Sequence, residues 1–220
     1  MMSNVTSRLM QIYDALMAHY GPQGWWPAES AAETIIGTIL VQHTAWRNVE
    51  RAIVNLKAQD LLDFRAIHDL NHGNLAKIIQ PAGTPTVKAR RLQAFAAWLG
   101  ARPGFVLESM SATPQEVLRR ELLAIKGIGP ETADCIVLYA AQQPAFVVDA
   151  YTRRVLTRHL LADSNWGYDQ LKDLFEANLP REVRLFNEFH ALLVEVGKRH
   201  CRKTPACTDC PLDHLEHAAE

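Results

Sequence analysis

The sequence predicts an all-α protein, and three observations carry that reading. Apolar residues recur at three- and four-residue spacing through most of the chain, as they do on helices with one buried face. Residues that open and close helices, among them Ser30, Thr113-Pro114, Gly100 and Pro130, stand at the ends of those stripes. No segment alternates apolar and polar residues well enough to read as a strand.

Taken in order, Leu9, Ile12, Tyr13, Leu16 and Met17 share one face of a first helix. Ser30-Ala31-Ala32-Glu33 has the form of a capping box, opening a buried helix from Thr34 to Val41. Val49, Ala52, Ile53 and Leu56 make the next stripe, and Val87, Leu92, Phe95 and Leu99 another, ended by Gly100 and Pro103. Thr113-Pro114-Gln115-Glu116 supplies a cap, a proline at the first helical position and an acid in the first turn. Leu122 to Ile125 close that helix, a tight hairpin holds Gly127 and Gly129, and Pro130 opens a new helix. Beyond Asp149 the pattern predicts helices to about Leu161, from Tyr168 to about Asn178, and from Glu182 to Arg199. Proline and glycine punctuate the junctions, with no linker or low-complexity stretch between domains.

The chain has 220 residues, 48% of them hydrophobic, enough for a substantial core in one domain or two small ones. No run approaches the ~20 apolar residues of a membrane span. The polar start, Met1 to Met10, lacks a signal-peptide core, which predicts a cytoplasmic protein with no membrane partner. Lysine and arginine number 23 against 24 aspartate and glutamate, a balance that does not advertise nucleic-acid binding. Basic residues nevertheless cluster at Lys88-Ala89-Arg90-Arg91, at Arg153, Arg154 and Arg158, and from Lys198 to Lys203. Each cluster alone reads as a solvated face. Because they flank the hairpin, Asp149 and the C-terminal cysteines, they point to phosphate contacts.

The hairpin and the segment beyond it carry the chemistry. Glycines at 127 and 129 permit the positive-φ backbone and close approach of a phosphate cradle. The helix beyond aims free N–H groups at an anion. Asp149, a lone acid after the apolar run Phe146-Val147-Val148, opens the next helix. This arrangement resembles the helix-hairpin-helix, Gly/Pro-rich loop and aspartate motif of the endonuclease III superfamily of DNA glycosylases, and the resemblance runs from about Ser30 to Cys210. It implies two helical lobes with a DNA-binding cleft between them. One is a six-helix barrel over about 31–140, its helix-hairpin-helix at about 115–141. The other joins 1–30 with 141–200, and 201–220 forms a cysteine-containing tail. The implied partner is double-stranded DNA containing a damaged base, bound by a monomer.

Cleavage of an N-glycosidic bond passes through an oxocarbenium-like sugar that a carboxylate can stabilise. The resemblance gives that role to Asp149, which also reads as the cap of the helix it opens. In the bifunctional branch a lysine two residues after the second hairpin glycine forms a Schiff base. Here that position is Glu131, which cannot form an imine. Glu131 reads as a helix-opening acid, or as a group that helps to recognise a base. The resemblance further implies that Gln42, after the apolar run Gly37 to Val41, wedges into the duplex when a base is flipped out. Lys126, Gly127, Ile128 and Gly129 would face the DNA backbone, the hairpin through its N–H groups.

Trp25, Trp26 and Trp46 are aromatic candidates for a base pocket, since tryptophan faces attract a cationic ring. One or two of them also read as core anchors. With the lysine absent, this set resembles the branch that removes alkylated purines. Two alternatives stay open: a bifunctional glycosylase and abasic-site lyase acting on oxidised pyrimidines through an amine such as Lys126, and a non-catalytic helix-hairpin-helix DNA-binding protein.

Cys201, Cys207 and Cys210 come after the last long helix, while Cys135 lies in the motif's second helix. Many family members end in four cysteines holding a [4Fe–4S] cluster. Here the first gap is one residue shorter, and the fourth position falls on Glu216. His214 or His217 could complete the set. A histidine-completed cluster and an empty remnant stand ahead of zinc, with no organic cofactor.

Overall fold

Helices begin where a side chain can satisfy the first free N–H groups, and the caps set the boundaries here. A computed structural model describes residues 4–26 and 28–218. Among them the helices are α1 Asn4–Tyr20, α2 Ala31–Leu40, α3 Trp46–Lys57, α4 Phe64–Asp69, α5 His72–Ile78, α6 Pro85–Gly100, α7 Glu108–Ser111, α8 Gln115–Ala124, α9 Pro130–Cys135, α10 Ala150–Arg158, α11 Tyr168–Glu176 and α12 Val183–Arg199. Short 3-10 turns stand at Gln80–Ala82 and Pro103–Phe105, and a π turn, Ile136–Ala140, prolongs α9. The described residues contain no strand. None of their helices is long and apolar enough to cross a membrane.

The chain forms two compact units, Met1–Trp26 with Pro144–Glu220 and Pro27–Gln143. In the central unit, α2 is buried along its length from Thr34 to Leu40. It packs on α3, α6, α9 and the π turn. In the other unit, α12 lies against α1 and α10. Its Gly197 is required there, because a Cβ would meet the Tyr151 side chain at 2.5 Å. The core of this unit centres on Phe146, stacked on Phe175 at 3.6 Å and edge-on to Phe186 and Phe189. Truncating such a ring costs about 3–5 kcal/mol.

Several expectations are corrected. Ser30 Oγ accepts the Glu33 N–H at 3.1 Å. The reciprocal bond of a capping box is replaced by one from the Glu29 N–H to Glu33, because Glu33 is also drawn to Lys57 at 3.1 Å. Thr113 does not cap α8; its hydroxyl donates to the Ser109 carbonyl at 2.8 Å, and Pro114 stands at the cap. The helix after Asp149 ends at Arg158 rather than Leu161, where Leu160 turns into the left-handed region at φ 54°. Helices α4, α5 and α7 are additions to the expected set, although Asp63 and Asn71 cap the first two through side-chain oxygens. The tail from 201, expected as a separate segment, packs within its unit: Ala218 N–H donates to the Arg158 carbonyl at 2.8 Å.

Candidate functional site

Asp149 is placed by the elements on either side of it. Upstream, Phe146 and Val147 are fully buried, and the Phe146 N–H donates to Glu176 at 2.8 Å. Downstream, Asp149 caps α10, its Oδ1 accepting the Thr152 N–H at 2.7 Å. The cap and the catalytic expectation are therefore compatible, since the cap uses one oxygen. The other oxygen, Oδ2, lies 3.9 Å from His190 Nε2 of α12. Burial holds the His190 pKa down, against the opposing pull of Asp149.

The same unit holds Trp25 and Trp26, edge-to-face at 5.6 Å. The loop before them is tied by Glu188, whose carboxylate accepts the N–H groups of Gln23 at 2.8 Å and Gly24 at 3.0 Å. Lys198 places its ammonium 5.4 Å from the Trp25 ring centre. That aromatic face already has a cation. Trp46 belongs to the central unit, where it lines a shallow depression with Glu33, Glu50, Ile53, Val54 and Lys57.

The hairpin of the central unit is braced from behind. Asp134 of α9 is fully buried and forms a two-pronged ion pair with Arg119 of α8, at 2.9 and 3.2 Å. This pair locks the two helices that present the turn. Only Gly127 takes a positive φ, 95°, and a Cβ there would meet Arg91 Cγ at 2.5 Å. Gly129 is extended at φ −96° as the cap of α9, with open space where a Cβ would point. Ile128 departs from its expected role. Its N–H donates to the Ile125 carbonyl at 3.0 Å, and its side chain is 5% exposed, so it anchors the turn. Lys126 and Glu131 are both exposed.

Gln42 sits beside this turn. Its Nε2 donates to Thr132 Oγ1 at 2.8 Å and to the Gly127 carbonyl at 3.3 Å, while its Oε1 accepts from Arg91. The basic clusters largely serve the protein itself. Lys88 is buried and donates to the Ala82 carbonyl at 2.6 Å. Arg153 donates to Trp166, Arg154 to Cys201 and Gly197, and Arg158 to Arg202 and Lys203. Each satisfies carbonyls at helix ends or in loops that have no backbone partner of their own. Arg91 belongs to a basic cluster read as a phosphate contact, whereas it bonds Gln42; nothing singles out Arg119, Asp134, Thr132, His190 or Glu188 for these roles in the sequence. The charges of the Arg119–Asp134 pair, set among apolar helix positions, are the one available signal.

Cys201, Cys207, Cys210 and His217 line one cavity of about 30 Å³ with His200 and Asp213. His214 lies apart, in a depression with Gln11, Asp14 and His19. Arg158 donates to Cys201 Sγ at 3.2 Å. Burial pushes the Cys210 thiol pKa up, and the nearby Cys207, Cys201 and Asp213 add to the rise. A [4Fe–4S] cluster takes four thiolates. Three thiols, one histidine and an acid are not that donor set.

The model of the HhH-GPD superfamily of base excision DNA repair proteins matches residues 36–181. The chain is 43% identical over 214 residues to a Methanocaldococcus jannaschii protein provisionally named DNA repair glycosylase MJ1434, covering 96% of this chain and 97% of that one. It is similar to the crystal structure of H. pylori 3-methyladenine DNA glycosylase (MagIII) bound to 1,N6-ethenoadenine. The TM-score is 0.75 at 27% identity, over 89% of this chain and 97% of that one. A non-covalent endonuclease III–DNA complex shares the fold, with a TM-score of 0.81 at 21% identity over 96% of this chain and 94% of that one.

Proposed function

The chain belongs to the HhH-GPD superfamily of base excision DNA repair proteins and is a DNA glycosylase of that family, and from that premise we propose that it excises alkylated purines from duplex DNA with water as the nucleophile. The observation that carries the hydrolytic reading is Glu131. It stands at the helix-opening position where bifunctional members carry the Schiff-base lysine.

In the reaction the C1′–N bond breaks with its electron pair leaving on the base, and positive charge develops on the sugar. The Asp149 carboxylate offsets that charge and orients the water, which adds to C1′ and passes its proton to that carboxylate. The Thr152 N–H fixes one carboxylate oxygen, so the other keeps a defined direction. The N–H groups of Gly127 and Gly129 bind backbone phosphate beside Lys126, and Gln42 fills the space left by the flipped base. Trp25, Trp26, Trp46 and Glu131 are each candidates for contact with the base. Because Lys198 faces Trp25, that ring is the least suited of the three to a cationic base. The likeness to a 3-methyladenine glycosylase holding an ethenoadenine supports this substrate class.

The test is a panel of duplexes carrying single 3-methyladenine, 7-methylguanine, ethenoadenine, thymine glycol or a G·T mismatch, each treated with and without alkali. Release of methylated or etheno purines, with strand breaks only after alkali, is expected. Release of thymine glycol or mismatched thymine alone would overturn the substrate assignment.

A further inference from the structure

After α12 the chain brings three chemically different donor atoms to one point. The ligand atoms of Cys207, Asp213 and His217 all lie within 4.8 Å of one another. The imidazole is already oriented. Its Nδ1 lies 2.8 Å from the Leu215 carbonyl oxygen, a contact in which the ring nitrogen must donate. The lone pair is therefore on Nε2, which faces Asp213 Oδ1 at 3.9 Å. A histidine that ligates metal is held in this way, with its second nitrogen donating to a carbonyl or carboxylate. Cys207 and Cys210 share a turn closed by the Cys210 N–H on the Cys207 carbonyl at 2.8 Å. That Cys-x2-Cys spacing is the usual thiolate pair of a structural zinc site.

We propose that Cys207, Asp213 and His217, joined by Cys210, bind a single divalent ion of the zinc type, in place of an iron–sulfur cluster. The cluster is ruled out by its donors: with Cys201, Cys207 and Cys210 the tail has only three of the four thiolates a four-iron cube takes, and the fourth position is Glu216. Thiolate, imidazole and carboxylate together match zinc among the common divalent ions. Binding displaces the thiol protons and ties the tail to itself. The tail already contacts the rest of its unit through Arg8–Glu216 at 3.1 Å and His159–Glu216 at 3.1 Å. The ion's role is structural, in that it locks the end of the chain in place.

The test uses the full-length protein, stripped of metal and titrated anaerobically with Zn²⁺ or Co²⁺. Metal content, the visible spectrum of the cobalt form and the melting temperature are read together. One ion per chain, a tetrahedral thiolate–cobalt spectrum and a higher melting temperature with zinc are expected. His217→Ala and Cys207→Ser should weaken binding by more than about a hundredfold, beyond the loss typical of a supporting partner. Asp213→Asn, at an exposed position where folding is not at risk, should weaken it by about tenfold. His214→Ala should bind as the unaltered protein does. The assignment is overturned by a bound iron and sulfide cluster that survives His217→Ala, by failure of the unaltered protein to retain zinc, or by binding indifferent to Cys207 and His217.

Discussion

Gln42 donates its side-chain amide to the hydroxyl oxygen of Thr132, 2.8 Å away and ninety residues later in the chain. With Arg91 on the amide oxygen and the Gly127 carbonyl on its nitrogen, the side chain is held against the hairpin. A group that must enter a duplex gains from being positioned beforehand, since misplacement by about 1 Å can cost on the order of a hundredfold in rate. Thr132→Val and Arg91→Gln should each slow single-turnover excision by about tenfold, equivalent to about 1.4 kcal/mol. Melting temperatures should change little. A fluorescent base analogue beside the lesion should report slower flipping in both variants. Unchanged flipping would free Gln42 from this network.

Asp149→Asn should abolish base release while duplex binding stays near normal. An amide preserves the cap on Thr152 through its carbonyl oxygen but removes the negative charge beside the developing cation. Losses of this kind run to about 10²–10³-fold or more. Single-turnover cleavage and gel-shift affinity, measured side by side, separate chemistry from binding. Near-normal cleavage by the variant would remove Asp149 from the mechanism.

Borohydride should trap no covalent complex with DNA, because Glu131 cannot form an imine. Glu131→Lys places an amine at that position, and a trapped species should then appear. A complex already trapped by the unaltered protein, and lost in Lys126→Ala, would establish lyase chemistry through the hairpin lysine.

The two hairpin glycines should fail differently. Gly127→Ala forces a side chain into φ 95° and against Arg91 Cγ at 2.5 Å, and should destabilise the fold by about 1–3 kcal/mol. Gly129→Asp meets no neighbouring atom within 4 Å and should leave the melting temperature alone. Its charge should instead weaken binding to damaged and undamaged duplexes alike, since phosphate contacts carry no sequence information. Binding loss confined to damaged DNA would mean that the turn reads the lesion.

Stability should fall in mild acid through His190. Burial lowers its folded pKa, with Lys198 adding to that effect and Asp149 opposing it. Above about pH 6.5, the ordinary value for histidine, folded and unfolded chains are both neutral there and the full stability is present. Below it the unfolded chain takes up the proton first, so stability drops by up to ~1.4 kcal/mol per pH unit until the folded pKa is reached. Urea unfolding of the unaltered protein and of His190→Gln at several pH values should show a flatter profile for the variant. Identical slopes would exclude this histidine.

The longer helices, the caps Ser30 and Asp149 and the hairpin between them were determined by the sequence itself, because each depends on residues within a few positions of one another. A stripe at three- and four-residue spacing declares a buried face, and Asp149 four residues past Ala145 opens a helix by local hydrogen bonding. Tertiary structure decided which polar groups were consumed. The clustered arginines at 153, 154 and 158 cap carbonyls instead of lying free, the Arg119–Asp134 pair braces the hairpin, and His217 rather than His214 joins the cysteines. Spacing along the chain carries no record of these partnerships. They depend on where distant segments meet, as Gln42 and Thr132 do, and on burial that makes every donor find an acceptor.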